Sequence, residues 1–189
     1  MIKLQDVDIK EFKKTIYSEY KKLFPAIERK PYKLIKRQCE LGITKIWKIV
    51  EYDKFVGFII STTIDSVKYA YLEYFAILPE HQNNGYGTKA IELLKEQYKN
   101  CNGIFVEVEK AESAEDITKI KRVNFYERLG FYKLGFDIIL YTVSYTPYVL
   151  QIAEQKEEDI KIIEGIFSIY IAISGQKRVA RNCKVILNN

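Results

Sequence analysis

The stretch Gln82-Asn83-Asn84-Gly85-Tyr86-Gly87 lies between a β-like run and an amphipathic one. The run before it, Tyr71-Leu72-Glu73-Tyr74-Phe75-Ala76-Ile77-Leu78, is rich in aromatic and branched residues and is closed by Pro79. From Thr88 to Tyr98, Ala90, Ile91, Leu94 and Tyr98 recur at helical spacing, while Lys89, Glu92, Lys95 and Glu96 stay polar. A strand, a glycine-bearing turn and a helix make a place where successive backbone N–H groups point at an anion. Unpaired amides and aligned peptide dipoles give that helix end a partial positive charge. Gly85 and Gly87 lack a Cβ, so a ligand comes close to the backbone there. Alone, this predicts a phosphate-bearing ligand; plain turn chemistry also uses such glycines.

Composition narrows the classes. At 189 residues and 48% hydrophobic content the chain has ample material for the core of one domain. No apolar run approaches the roughly 20 residues that span a bilayer, and Met1-Ile2-Lys3-Leu4-Gln5-Asp6 contains no apolar leader core. Cys39, Cys101 and Cys183 are widely spaced, which argues against a disulfide framework or zinc site, and His81 is the sole histidine. The expectation is a cytoplasmic, metal-free protein without a membrane partner. The net charge of +5 is spread over Lys13-Lys14, Lys21-Lys22, Lys36-Arg37 and Lys177-Arg178, so no nucleic-acid partner is expected. The 15 tyrosines suit strands and half-buried helix faces better than a stacking surface.

A second signature follows about 40 residues later: Arg122-Val123-Asn124-Phe125-Tyr126-Glu127-Arg128-Leu129-Gly130-Phe131. Together the two segments resemble the GNAT superfamily of acetyl-CoA-dependent N-acetyltransferases over roughly residues 45–145. The first is similar to that family's acetyl-CoA loop (Arg or Gln, two residues, Gly, one residue, Gly or Ala). The second is similar to its late Tyr-Glu-(Lys/Arg)-x-Gly-Phe segment. The resemblance implies an α/β (α+β) fold: a mixed, mostly antiparallel central sheet flanked by helices.

The coarse element pattern is compatible with this. Ile2–Leu4 reads as a short strand, and 7–24 as a helix with Asp8 or Asp6 near its start. Pro31 opens a second helical run to Gly42. Two strands, 45–52 and 54–63, are joined at Asp53. Strands are expected over 69–78 and 103–109, a helix over 114–129 stopped by Gly130, and final strands over 131–145, bent at Gly135. Beyond an acetyltransferase domain of 1–150, residues 151–189 read as a C-terminal helical extension packed on it. Its helix is expected over 157–173, with packing on the sheet preferred to a dimer contact. The tail 174–189 is basic and less patterned; it is either mobile or adds Val185–Leu187 as an edge strand.

The resemblance implies roles residue by residue. Gln82, Asn83, Asn84, Gly85, Tyr86, Gly87 and Thr88 would wrap the cofactor pyrophosphate, chiefly through the amides from Asn83 to Thr88. Phe75 and Ile77 would offer main-chain groups to the pantetheine arm, where the family's strand splays from its neighbour near Phe105 to Val108. Tyr126 would be the general acid, since a phenol with a reference pKa near 10 can donate to a thiolate at neutral pH. Packing beside Phe125 and Leu129 is its plain structural alternative. Asn124 is a candidate cofactor contact; the family's usual Asn, seven residues before the tyrosine, is Lys119 here. Glu73 is the first candidate for general base, with an acidity expected to weaken in a desolvated slot. Glu107 and Glu109 are rivals, and water or a buried ion pair are the alternatives. His81 reads as loop packing, and Cys101 has no partner histidine. The resemblance implies an acceptor that is a primary amine of a small molecule or peptide, entering near 24–32 and 135–147, and the expected state is a monomer or homodimer. A catalytically silent acyl-CoA sensor and an unrelated nucleotide binder are the other readings.

Overall fold

The computed structural model describes residues 1–111 and 113–188. The chain divides into two compact units, Met1–Thr62 with Leu72–Gln97, and Thr63–Tyr71 with Tyr98 onward. Among the described ladders only one is parallel, so the fold is a mixed, mostly antiparallel sheet with flanking helices.

In the first unit, β1 (Ile2–Asp6) runs antiparallel to β2 (Thr44–Glu51), and β2 antiparallel to β3 (Lys54–Thr62). The β2–β3 turn is the pair Tyr52-Asp53, both at positive φ (45° and 66°), as a two-residue hairpin requires when it follows the strand twist. Between β1 and β2 the chain is helical: α1 (Ile9–Glu11), a π-helical stretch Phe12–Ile16, α2 (Tyr17–Leu23) and, after Pro31, α3 (Tyr32–Glu40). Asp8 starts the run, its carboxylate accepting from the amides of Lys10 and Glu11, each at 2.8 Å. One π turn followed by one α turn nearly cancels the angular drift of residues four apart. Phe12, Ile16 and Tyr20 therefore share one face, all fully buried with Ile35, Ile46, Phe58 and Ile60. β4 (Tyr69–Ile77) gives its later residues to this unit, beside β3. A Cβ on Gly57 would stand 2.4 Å from the Ala76 carbonyl oxygen, so β3 needs glycine to lie this close to β4. A 3-10 turn Pro79–His81 then leads to α4 (Tyr86–Gln97), which buries Ala90, Ile91 and Leu94.

In the second unit, Tyr69–Tyr71 of β4 pair in parallel with Gly103–Phe105 of β5 (Gly103–Glu109). β5 pairs along its whole length with β8 (Val143–Gln151), which also takes β6 (Phe131–Lys133) and β7 (Phe136–Leu140). α5 (Ile117–Arg128) precedes β6 and stops at Leu129-Gly130, where Gly130 has φ 87°. α6 (Asp159–Ser174) buries Ile162, Ile166, Ile169 and Tyr170 in one cluster with Phe105, Phe136 and Val149, so it packs on strands of its own unit. A short α7 (Gln176–Asn182) leads to β9 (Cys183–Leu187), antiparallel to β7.

Several expectations change. The final strands do not end at Tyr145: β8 continues to Gln151, its Pro147 opposite Glu107 and its own carbonyl accepting from Leu134 N at 3.0 Å. α5 begins at Ile117, not at 114, because Asp116 bends the chain just before it. Residues 176–182 form a helix where the sequence showed no clear pattern, and the edge strand after it is present. The last residue of the tail, 189, lies outside the described residues.

Candidate active site

The glycine turn is shaped by backbone dihedrals. Asn83 has φ 63° and Gly85 φ 77°, so the chain reverses twice in the left-handed region before α4 begins at Tyr86. The Lys89 amide donates to the Gly85 carbonyl at 3.2 Å. That is the first turn's closing bond, so the amides of Tyr86, Gly87 and Thr88 have no acceptor within the helix. Asn84 braces the turn, its Nδ2 donating to the carbonyls of His81 (3.2 Å) and Gln82 (3.0 Å). Gln82 turns its Nε2 back to the Ile77 carbonyl at 3.0 Å, tying the turn to the end of β4. A Cβ at Gly85 would meet no heavy atom within 4 Å, so the space outside the turn is open to a ligand. These features fit a pyrophosphate: first-turn amides without an acceptor in the helix, room for close approach at Gly85 and a helix N-terminus beside it.

His81 is buried beneath this turn, its ring edge-on to Tyr86 with centroids 6.2 Å apart. The Tyr86 hydroxyl donates to Glu51 of β2. Both residues support the loop.

Glu73, Phe75 and Ile77 share one face of β4. Glu73 is not a free carboxylate. Its side chain is 1% exposed; one oxygen accepts from the Lys30 ammonium and the other from the Thr62 hydroxyl. Lys30 belongs to the loop between α2 and α3, and that loop is itself pinned. The Lys30 amide donates to the hydroxyls of Tyr20 (2.7 Å) and Tyr74 (3.1 Å), and Tyr74 donates to the Glu28 carbonyl at 2.6 Å. Burial pushes the Tyr20 phenol up to about 12, and burial raises the Tyr74 phenol further, so both remain neutral. The sequence offered Lys30 only as one cation among many; its meeting with Glu73 across 43 residues left no local signal.

In the second unit, Tyr126 is buried at 5% exposure on α5, against Phe131 (5.0 Å) and Phe125 (5.3 Å). Burial raises its phenol above the ordinary value, partly opposed by Arg122, so it holds its proton through the neutral range. Asn124 lies exposed on the same helix. Lys119, standing where the family usually has Asn, pairs with Glu109 at 2.8 Å. The carboxylate of Glu107 accepts from the hydroxyls of Tyr71 (2.5 Å) and Tyr170, the latter from the C-terminal helix. Burial raises the thiols of Cys39 (to about 11), Cys101 and Cys183 (to about 12), which makes them poor nucleophiles. Among the described residues no cluster of His, Cys, Asp or Glu could hold a metal ion, and no helix is long and apolar enough to cross a membrane.

Residues 13–131, more than half of the chain, match the model of the acetyltransferase (GNAT) family. The chain belongs to that family. Solved structures agree on the GNAT fold. A protein described as a GNAT-family acetyltransferase from Bacteroides thetaiotaomicron is 22% identical, with a TM-score of 0.71 over 92% of this chain and 99% of its own. The ribosomal-protein-S18-alanine N-acetyltransferase of Escherichia coli is 18% identical, with a TM-score of 0.59 over 84% and 98%. NAA60 of Arabidopsis thaliana, in complex with acetyl-CoA, is 13% identical, with a TM-score of 0.61 over 80% and 99%. No curated protein matches the sequence. The GNAT match ends where β6 begins, so β7, β8, α6, α7 and β9 lie beyond it.

Proposed function

We propose that this GNAT protein is an N-acetyltransferase that moves the acetyl group of acetyl-CoA directly to a primary amine of a small molecule or peptide. The observation that carries this is the turn at Asn83–Gly85: two left-handed residues, open space at Gly85 and first-turn amides of α4 that have no acceptor within the helix. Acetyl-CoA, when bound, supplies the thioester carbonyl. The amides from Asn83 to Thr88 would hold its pyrophosphate, and main-chain groups of Phe75 and Ile77 its pantetheine arm. Gln82 is neutral and engaged with the Ile77 carbonyl, so it would support the turn and bring no cation to the phosphates. Asn124, exposed on α5, would be a further contact, supported by the resemblance alone.

Tyr126 would donate its proton to the departing thiolate, and its raised pKa keeps the proton available. Glu73 would receive the proton of the amine, directly or through water, once Lys30 vacates it. The acetyltransferase domain takes in 1–150, with 151–189 as an extension supported by the shared core of α6 and the sheet. We infer a cytoplasmic monomer or homodimer working without a metal.

Calorimetric titration with acetyl-CoA, with ATP and a short RNA as controls, tests the reading. Micromolar binding of acetyl-CoA alone supports it. Binding without acetyl transfer to any amine would favour a silent acyl-CoA sensor, and no binding would overturn both.

A further inference from the structure

The Lys30–Glu73 pair is an unusual way to hold a loop. Lys30 is 18% exposed and Glu73 1% exposed along their side chains. Desolvating two charges offsets most of their attraction, and an apolar pair of similar volume often stabilises as well or better. Nor does the loop need this pair as an anchor. Tyr20 and Tyr74 already fix the Lys30 backbone and the Glu28 carbonyl, and Arg29 adds a bond from its guanidinium to the Lys21 carbonyl at 2.9 Å. The side chain beyond that fixed backbone is a four-carbon stem ending in a primary ammonium. It is seated on a carboxylate whose second oxygen is oriented by the Thr62 hydroxyl. Thr62 is itself bonded to Thr44 at 2.6 Å, and both are buried. The seat is therefore preformed, anionic and shaped for an ammonium group on a flexible alkyl chain.

We propose that Lys30 is a built-in surrogate of the acceptor: Glu73 and Thr62 seat a primary alkylammonium, Lys30 occupies that seat in the absence of acceptor, and an alkylamine must displace it. This rests on the acetyltransferase reading above. It narrows the acceptor to amines that arrive as cations, and excludes arylamines and alcohols, which bring no charge to the carboxylate. It also makes Lys30 a specificity residue. The amine that wins the seat must lose its proton there, while the intramolecular competitor is present at high effective concentration.

Three measurements test it. In the intact protein, n-butylammonium chloride should free the Lys30 amine, raising the ratio of Lys30 to Lys36 labelling by an amine-reactive reagent at least fivefold in peptide mass spectrometry. Lys36, paired with Glu40 on an exposed helix face, is the internal reference that corrects for reagent consumed by the added amine. In Lys30→Met the KM for n-butylamine should fall about tenfold, with aniline remaining a poor acceptor. Lys30→Gln should do the same if the methionine variant does not fold. Unchanged Lys30 labelling, or an n-butylamine KM that is equal or higher in a folded variant, would overturn the surrogate. Calorimetry with acetyl-CoA on the same preparations separates the two levels of argument. Acetyl-CoA binding with unmoved Lys30 labelling rejects only this inference, whereas failure to bind acetyl-CoA rejects the reading beneath it.

Discussion

Replacing Gly85 with aspartate separates ligand binding from folding, because the structure also supplies its own control. Gly85 has φ 77° and a Cβ there meets nothing within 4 Å; Gly42, after α3, has φ 72° and equally open surroundings. Forcing an L-residue into the left-handed region costs about 1–2 kcal/mol at either position. For a chain of this size that lowers Tm by about 2–8 °C, alike for Gly85→Asp and Gly42→Asp. The two variants should differ at the ligand. A carboxylate about 5 Å from a phosphate charge, at an effective dielectric of about 20, is repelled by about 3 kcal/mol. That is more than a hundredfold in affinity. Calorimetry with acetyl-CoA on both proteins, each checked for a cooperative melt, should therefore show near-wild-type binding for Gly42→Asp and none measurable for Gly85→Asp. Equal affinity in a folded Gly85→Asp would refute the assignment of the turn to the pyrophosphate.

Tyr126→Phe should lower turnover about a hundredfold with acetyl-CoA affinity unchanged. Because its phenol is raised, no loss of activity attributable to Tyr126 should appear up to about pH 10; an alkaline limb below that which vanishes in the variant would contradict the burial argument. Gly57→Ala should destabilise by about 1–3 kcal/mol, since the new methyl sits 2.4 Å from Ala76 O and 3.1 Å from Ile77 Cα. A folded variant should also bind acetyl-CoA more weakly as β4 shifts, which thermal melts and calorimetry together can read. Asp137 is 3% exposed and, against the upward push of burial, is held below the usual carboxylate value by Thr146 (2.6 Å) and Lys110 (2.9 Å). A depressed native pKa gives stability above the unfolded value of about 3.9, lost as pH falls through the native value. Asp137→Asn should cost about 1.5–3 kcal/mol at pH 7 in urea titrations, and the gap should close toward pH 3; a gap independent of pH would exclude the ionic account.

The elements that could be read from the chain were those whose cause is local. Asp8 announces a helix start because a short carboxylate reaches amides two and three residues on. Gly130 announces a stop because the chain turns left-handed there. β8 runs past Tyr145 and through Pro147, which has no backbone N–H to give a ladder. Yet its missing N–H matters little when its carbonyl is used by Leu134 and the ladder to β5 continues on both sides. α7 escaped notice because its seven residues bury only Val179 and so carry no periodic face. The tyrosines show the same division. Their number suggested core use, and Tyr20, Tyr69, Tyr74, Tyr98, Tyr126, Tyr148 and Tyr170 are buried, but which phenol meets which partner is decided by tertiary packing.

The candidate site divides along the same line. In the proposed reading a pyrophosphate would be held by backbone amides, so its seat would be written in the residues that set backbone dihedrals, and Asn83 and Gly85 are left-handed there. An amine would be held by side chains brought from distant segments. Glu73 could be named from the family resemblance, and strand alternation sets it on one face with Phe75 and Ile77. What faces it could not. Lys30 comes from a loop 43 residues earlier, held by Tyr20 from a helix and Tyr74 from the strand itself. The state of Glu73 is therefore a property of that assembled cluster, not of the strand that carries it. It follows that acetyl-CoA affinity should tolerate exchange of the Phe24–Tyr32 loop, while acceptor preference should change with it. A loop exchange that altered both in parallel would mean that the two ends of the reaction are not encoded separately.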